Sequence, residues 1–177
     1  MAQLKTIYDH VNTLVKKYAS RDPLQLAEFL GIHIYYVKGF ADLLGMYTIV
    51  NQRRAILLNN NLDEHLLRLV VAHEIGHDRL HRDLAKQCAF KEFQVADVST
   101  KPEYEANVFA AHLLIDDVKL ISLIKEGYDV VQLACILDVN ANLLLIKLNE
   151  MKRRGADYNI SYVPHGDFLK KIKADIS

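Results

Sequence analysis

The segment from Leu62 to Leu80 constrains this chain most. Its apolar residues Leu62, Leu66, Leu69, Val70 and Leu80 recur at helical spacing, and His73 and His77 fall on the same face. At about 100° per residue, both imidazoles sit on the inward side of a long amphipathic helix. Arg68, Asp78 and Arg79 point elsewhere on this wheel. Asn59, Asn60, Asn61 and Asp63 are its candidate N-caps, and the helix extends to about His81. Two core histidines one turn apart need either hydrogen-bond partners or a ligand in common.

His73-Glu74-Ile75-Gly76-His77 has the HExxH spacing. Both rings can reach one ion, while Glu74, about 100° round the helix, can take a proton from water at an open coordination position. A catalytic zinc needs a third protein ligand. The HExxHxxGxxH pattern fails, because Leu80 and Asp83 stand at its glycine and last histidine. His81 extends the ladder, but His73 and His81 are about 12 Å apart along a straight helix. It is expected to cap the helix end as a partly positive imidazole on the negative dipole.

The next helix, opened by Thr100-Lys101-Pro102-Glu103, offers Glu103 and Glu105. Glu103 and Asn107 lie one turn apart at the margin of the apolar side made by Ala106, Phe109, Ala110, Leu113 and Leu114. Glu105 lies nearly opposite and is expected to face solvent. Glu103 is thus the expected third ligand, with Asn107 orienting a metal histidine from behind. The competing reading of Thr100-x-x-Glu103 is a capping box, in which the glutamate only satisfies the helix end.

The remainder reads as an α+β fold that is mainly helical. Leu4, Ile7, Val11, Leu14, Val15 and Tyr18 make a first helix, and Asp22-Pro23 starts a short second one that Gly31 ends. His33–Val37, Gly45–Val50 and Ala55–Asn59 read as a small three-stranded antiparallel sheet finished by a hairpin at Asn51-Gln52-Arg53. From Arg82 to Thr100 the pattern weakens into a connection with room for one short helical turn. Helices follow over Val118–Glu126, around Val131–Leu137 and over Ala141–Arg154. The expected division is 1–117, 118–155 and a tail, 156–177. With 22 basic and 22 acidic residues, no overall field favours nucleic acid or an anionic membrane. The N-terminus lacks a continuous apolar stretch, so a cytoplasmic location is expected. Cys88 and Cys135 are expected to be buried free thiols.

Ala72-His-Glu-Ile-Gly-His77 and Glu103-Tyr-Glu-Ala-Asn107-Val-Phe-Ala-Ala-His-Leu-Leu114 together resemble the ImmA/IrrE family of metallopeptidases. The second segment is the more diagnostic. The strand ending Ile56-Leu57-Leu58-Asn59 and the residues Leu133, Ala134, Leu137, Val139 and Leu148 fit the family's preceding strand and its helix-turn-helix-like segment. The resemblance covers about residues 20 to 150. It implies a zincin-like fold, with His73, His77 and Glu103 at the zinc ligand positions and Glu74 as general base. It also implies a regulatory substrate, a helix-turn-helix repressor. His112, where a glutamate is common, and Ile115-Asp116, in place of Met-Pro, depart from the family pattern.

A zinc-dependent endopeptidase that cuts such a repressor is therefore the expected function, with manganese the other candidate metal. A substrate strand is expected to pair with an exposed sheet edge at Ile56, Leu57 and Leu58. Tyr47, Tyr104, Tyr162 and His165 are the candidate oxyanion donors. The alternative is a non-hydrolytic repressor-binding protein with a structural metal. Direct DNA reading is not expected, since Ala141-Asn142-Leu143-Leu144-Leu145-Ile146 reads as core packing rather than as a recognition helix.

Overall fold

A computed structural model describes residues 2–40, 43–84 and 100–156. The expected connection beyond Leu84 and the tail beyond Ala156 lie outside the described residues, as does Cys88. Helix α1 (Ala2–Tyr18) buries Ile7, Val11 and Leu14. Helix α2 (Pro23–Phe29) starts where the Asp22 carboxylate accepts from the Gln25 N–H, with Pro23 in the first turn, where no N–H is needed. Three strands follow, β1 (His33–Val37), β2 (Gly45–Val50) and β3 (Arg53–Asn59).

The sheet corrects two expectations. Its order is β1-β3-β2, with β2 antiparallel to β3 but β1 parallel to it, so it is mixed rather than antiparallel. The hairpin forms as expected, because Asn51 and Gln52 both take positive φ (49° and 64°), as a two-residue turn matching strand twist requires. β1 instead enters from α2 and pairs on the opposite side of β3. Consequently β3 is the central strand, and Ile56, Leu57 and Leu58 lie on no open edge. Their unbroken apolar run fits this place, since Ala55 on one face and Ile56 and Leu58 on the other are buried, with Leu57 half-buried.

Helix α3 (Glu64–Leu80) is capped by Asp63, whose carboxylate accepts from the Leu66 N–H at 2.8 Å. Helix α4 (Lys101–Leu114) lies against it, and the two approach closely at Gly76. A Cβ there would stand 3.0 Å from Ala106 Cα and 3.2 Å from its carbonyl oxygen. Only glycine permits that approach without a shift of backbone. Helices α5 (Asp117–Lys125), α6 (Val130–Leu137) and α7 (Ala141–Arg153) complete the fold. A capping box at Asp129 and Gln132 opens α6, and α6 and α7 meet at a bend of 107°. That angle suits a helix-turn-helix-like pair. α7 buries Leu143 through Leu148 and packs on α4, which is enclosed between α1, α3 and α7. Among the described residues, no single helix is long and apolar enough to cross a membrane.

A polar cluster ties α1, α4, α5 and α7 together. Lys147, 1% exposed, donates to His112 Nδ1 at 3.0 Å and pairs with Asp117. Arg154 also reaches Asp117 and lies over the Tyr8 ring, while Arg21 donates to the carbonyls of His112 and Leu113. Burial first, then the charges of Lys147 and Arg154, push the His112 imidazole down to about 2. Burial likewise lowers Lys147 to about 8, against the pull of Asp117.

An unfolded His112 takes up a proton below about pH 6.5 that the folded one refuses, so its contribution to stability is lost as pH falls from 6.5 towards 2. Glutamine there keeps an acceptor for Lys147 but cannot titrate. Urea unfolding at pH 4.5 and 6.5 should therefore show a smaller loss of stability in His112→Gln than in the native chain. Equal losses would mean that the folded imidazole protonates freely.

Candidate metal centre

α3 and α4 each contribute from facing turns. His73 and His77 stand one turn apart on α3, and Glu103 occupies the first turn of α4 between them. The two Nε2 atoms are 3.1 Å apart, while Glu103 Oε2 lies 3.2 Å from His73 Nε2 and Oε1 3.3 Å from His77 Nε2. Donors that bind zinc tetrahedrally at about 2.0–2.1 Å are separated by about 3.3 Å, so this trio has the spacing the ion requires. The side chains grade from 5% exposed at His73 to 17% at His77 and 19% at Glu103. The site is therefore closed behind His73 and opens beside His77 and Glu103, as a fourth, exchangeable position needs.

The donors are aimed from behind. His73 Nδ1 donates to Asn107 Oδ1 at 2.9 Å, which leaves its Nε2 lone pair facing the trio. The trio also favours positive charge. Burial opposes a charged His73, but the carboxylates of Glu103 and Glu74 outweigh it and hold the imidazole above its usual value. Burial opposes the Glu103 charge too, yet the two imidazoles hold its carboxyl well below the usual range. The Thr100 side chain makes no cap hydrogen bond, so the capping-box reading of Thr100 and Glu103 does not hold.

Glu74 is buried, and its Oε2 accepts from the Tyr47 backbone N–H at 2.7 Å. Tyr47 touches α3 twice, because its hydroxyl donates to Asp78 Oδ1 at 2.8 Å, one turn beyond Glu74. Arg54 and Arg82 also donate to Asp78, and Arg54 continues to the Leu30 carbonyl. The sequence reading turned Asp78 away from the core. It is in fact 1% exposed, the carboxylate that braces the sheet to the motif helix. The signal was present, since a residue four beyond Glu74 shares its face.

Two further expectations are corrected. Glu105 is 4% exposed rather than facing solvent, because α4 is buried on every side from Glu105 to Leu113. Its Oε2 accepts from His81 Nε2 at 3.0 Å. His81 does occupy the C-cap of α3, but burial holds its imidazole below the usual value despite Glu105, so it is not a partly positive dipole partner. Of the candidate oxyanion donors, Tyr104 gives its hydroxyl to Glu150 at 2.7 Å, and burial with that bond pushes it up to about 12. Tyr162 and His165 lie outside the described residues. Cys135 is exposed rather than buried.

An HExxH helix whose two histidines meet a glutamate from the next helix is the arrangement of a zincin-like scaffold. A family model described as the IrrE N-terminal-like domain, peptidase M78, matches residues 27–149, and the chain belongs to this family, the ImmA/IrrE metallopeptidases. The chain is also 31% identical over 143 residues to the "Uncharacterized immunity region protein 2" of Bacillus phage phi105, covering 80% of this chain and 89% of that protein. No solved structure matches significantly.

Removing the Asp78 carboxylate leaves the buried Tyr47 hydroxyl without its acceptor and takes one acceptor from each of Arg54 and Arg82. Asp78→Ala should cost about 3 kcal/mol of stability, read from urea unfolding. A loss within a few tenths of a kcal/mol would show that the brace contributes nothing net.

Proposed function

We propose that this protein is a zinc-dependent endopeptidase that hydrolyses a peptide bond in a helix-turn-helix transcriptional repressor and so relieves repression. The observation that carries the reading is the convergence of His73, His77 and Glu103 at zinc spacing, with the Glu74 carboxylate held beside them. These three residues would hold the metal, zinc or alternatively manganese. Bound there, the ion supplies a Lewis acid that polarises the scissile carbonyl and acidifies water. Glu74 takes the proton of the attacking water and later passes it to the leaving amine. The Tyr47 amide fixes Oε2 of Glu74, which leaves Oε1 to handle the proton.

The substrate strand is assigned to β2, the open edge beside Glu74. Leu44 and Asn59 bond across the hairpin, so by alternation the backbones of Gly45, Tyr47 and Ile49 turn away from β3. An extended segment paired there runs alongside the Glu74 carboxylate. Family membership and the immunity-region relative support a regulatory substrate, and such a substrate puts the protein in the cytoplasm. The start of α7 is spent on the core, which argues for contact with the repressor protein rather than with DNA.

Zinc-loaded protein and its Glu74→Gln form are incubated with the helix-turn-helix repressor encoded beside this gene, and products are read by intact mass. One discrete fragment is expected, forming about 100-fold or more slowly with Glu74→Gln although that form still binds zinc. Tight binding by both forms without a cut would overturn hydrolysis in favour of a sequestering anti-repressor. General digestion of unrelated unfolded proteins would overturn the regulatory substrate but keep the chemistry.

A further inference from the structure

His77 is the one histidine of the trio whose rear nitrogen faces another imidazole. Its Nδ1 lies 3.3 Å from Nδ1 of His81, and His81 sets its Nε2 3.0 Å from Glu105 Oε2. The pair is enclosed, with side-chain exposures of 9% for His81 and 6% for Glu105. The other Glu105 oxygen lies 3.6 Å from Lys101 Nζ, one turn back on α4.

With both rings neutral, the hydrogen-bond capacities of these groups allow one consistent assignment. A carboxylate only accepts, so His81 carries its proton on Nε2 and turns a lone pair outward at Nδ1. That lone pair accepts from the Nδ1–H of His77. The His77 proton is thereby held at the rear of the ring, and the Nε2 lone pair faces His73 and Glu103. With the proton on the opposite nitrogen, Nε2 of His77 could ligate nothing.

We propose that Glu105 and His81 act in series as positioning residues for the metal, Glu105 fixing the His81 tautomer and His81 fixing that of His77. This rests on the metal-centre reading given under Proposed function. The two histidines are then oriented by different means. His73 leans directly on a neutral amide, Asn107, whereas His77 leans on a carboxylate through an intervening ring. Rear partners of this kind orient a ligand and raise its basicity, and their loss costs about 10- to 100-fold in metal affinity. The arrangement also accounts for a carboxylate and an imidazole kept buried at the end of α3, where neither reaches the metal position itself.

The test reads metal binding and the ring proton, with no substrate present. Zinc affinity is measured by competition with a chromophoric chelator for the native chain, Glu105→Ala, Glu105→Gln and His81→Phe. The His77 Nδ1 proton is followed in the zinc-loaded forms by 1H–15N correlation. Glu105→Ala and His81→Phe should bind zinc about 10-fold or more weakly, and their His77 Nδ1 proton should shift and exchange faster. Glu105→Gln, which keeps an acceptor oxygen, should recover most of the affinity lost in Glu105→Ala. A merely structural role would not move that ring proton. Should Glu105→Ala fail to fold, His81→Phe and Glu105→Gln carry the comparison. Native affinity and an unchanged His77 proton in the folded variants would overturn the relay and leave the metal centre standing. A native chain that binds no zinc would overturn both.

Discussion

The close crossing of α3 and α4 is the constraint on which the rest of the structure depends. With Gly76 against the Ala106 backbone, the two helices approach with no side chain between them. Glu103 lies one turn before Ala106, and His73 and His77 flank Gly76, so the same approach brings all three donor side chains together. A larger residue at either contact would separate the donors by tenths of an ångström to more, on a site whose spacings of 3.1 to 3.3 Å leave little slack. The crossing is made permanent by burial. α4 is enclosed by α1, α3 and α7, and Val108, Phe109, Ala110, Ala111 and Leu113 are fully shielded from solvent.

The sheet is fastened to this helix pair through one residue. Tyr47 gives its backbone N–H to Glu74 and its hydroxyl to Asp78, two groups one turn apart on α3. The bond to Glu74 is available only because β2 is an edge strand whose Tyr47 amide faces away from β3. An unpaired strand edge is ordinarily a liability; here the middle one of its three outward donors, the Tyr47 N–H, is satisfied by the Glu74 carboxylate. The His73, His77 and Glu103 side chains, the Glu74 carboxylate and the β2 edge thus share one frame, and a shift of β2 would disturb all three.

Much of the site was legible in the sequence because it lies on two helices, where spacing converts directly into direction. His73, His77, Glu103 and Asn107 could be placed on facing stripes from periodicity alone, and the structure brings them together. What failed did so where tertiary packing sets the answer. A helical wheel gives Glu105 a solvent side only if the helix has one there, and α4 has none from Glu105 to Leu113. The pairing of β1 could not be read, since local pattern fixes a hairpin but not the side of β3 on which an earlier strand docks. The unbroken run Ala55-Ile56-Leu57-Leu58 was the available sign of a central strand. Asp78 was misplaced because a carboxylate on an amphipathic helix is ordinarily solvated, whereas here Tyr47, Arg54 and Arg82 compensate its burial. The His112 ring was likewise not legible as a core group, and it accepts from the buried Lys147.

The central claim is that two imidazoles and one carboxylate of this chain hold a single zinc ion. X-ray absorption at the zinc edge of protein loaded with one equivalent tests it most directly. The account predicts a shell of nitrogen and oxygen donors at about 2.0–2.1 Å, with the scattering of two imidazole rings, and the loss of one ring in His73→Ala. A sulfur donor at about 2.3 Å, or a spectrum that His73→Ala leaves unchanged, would contradict it.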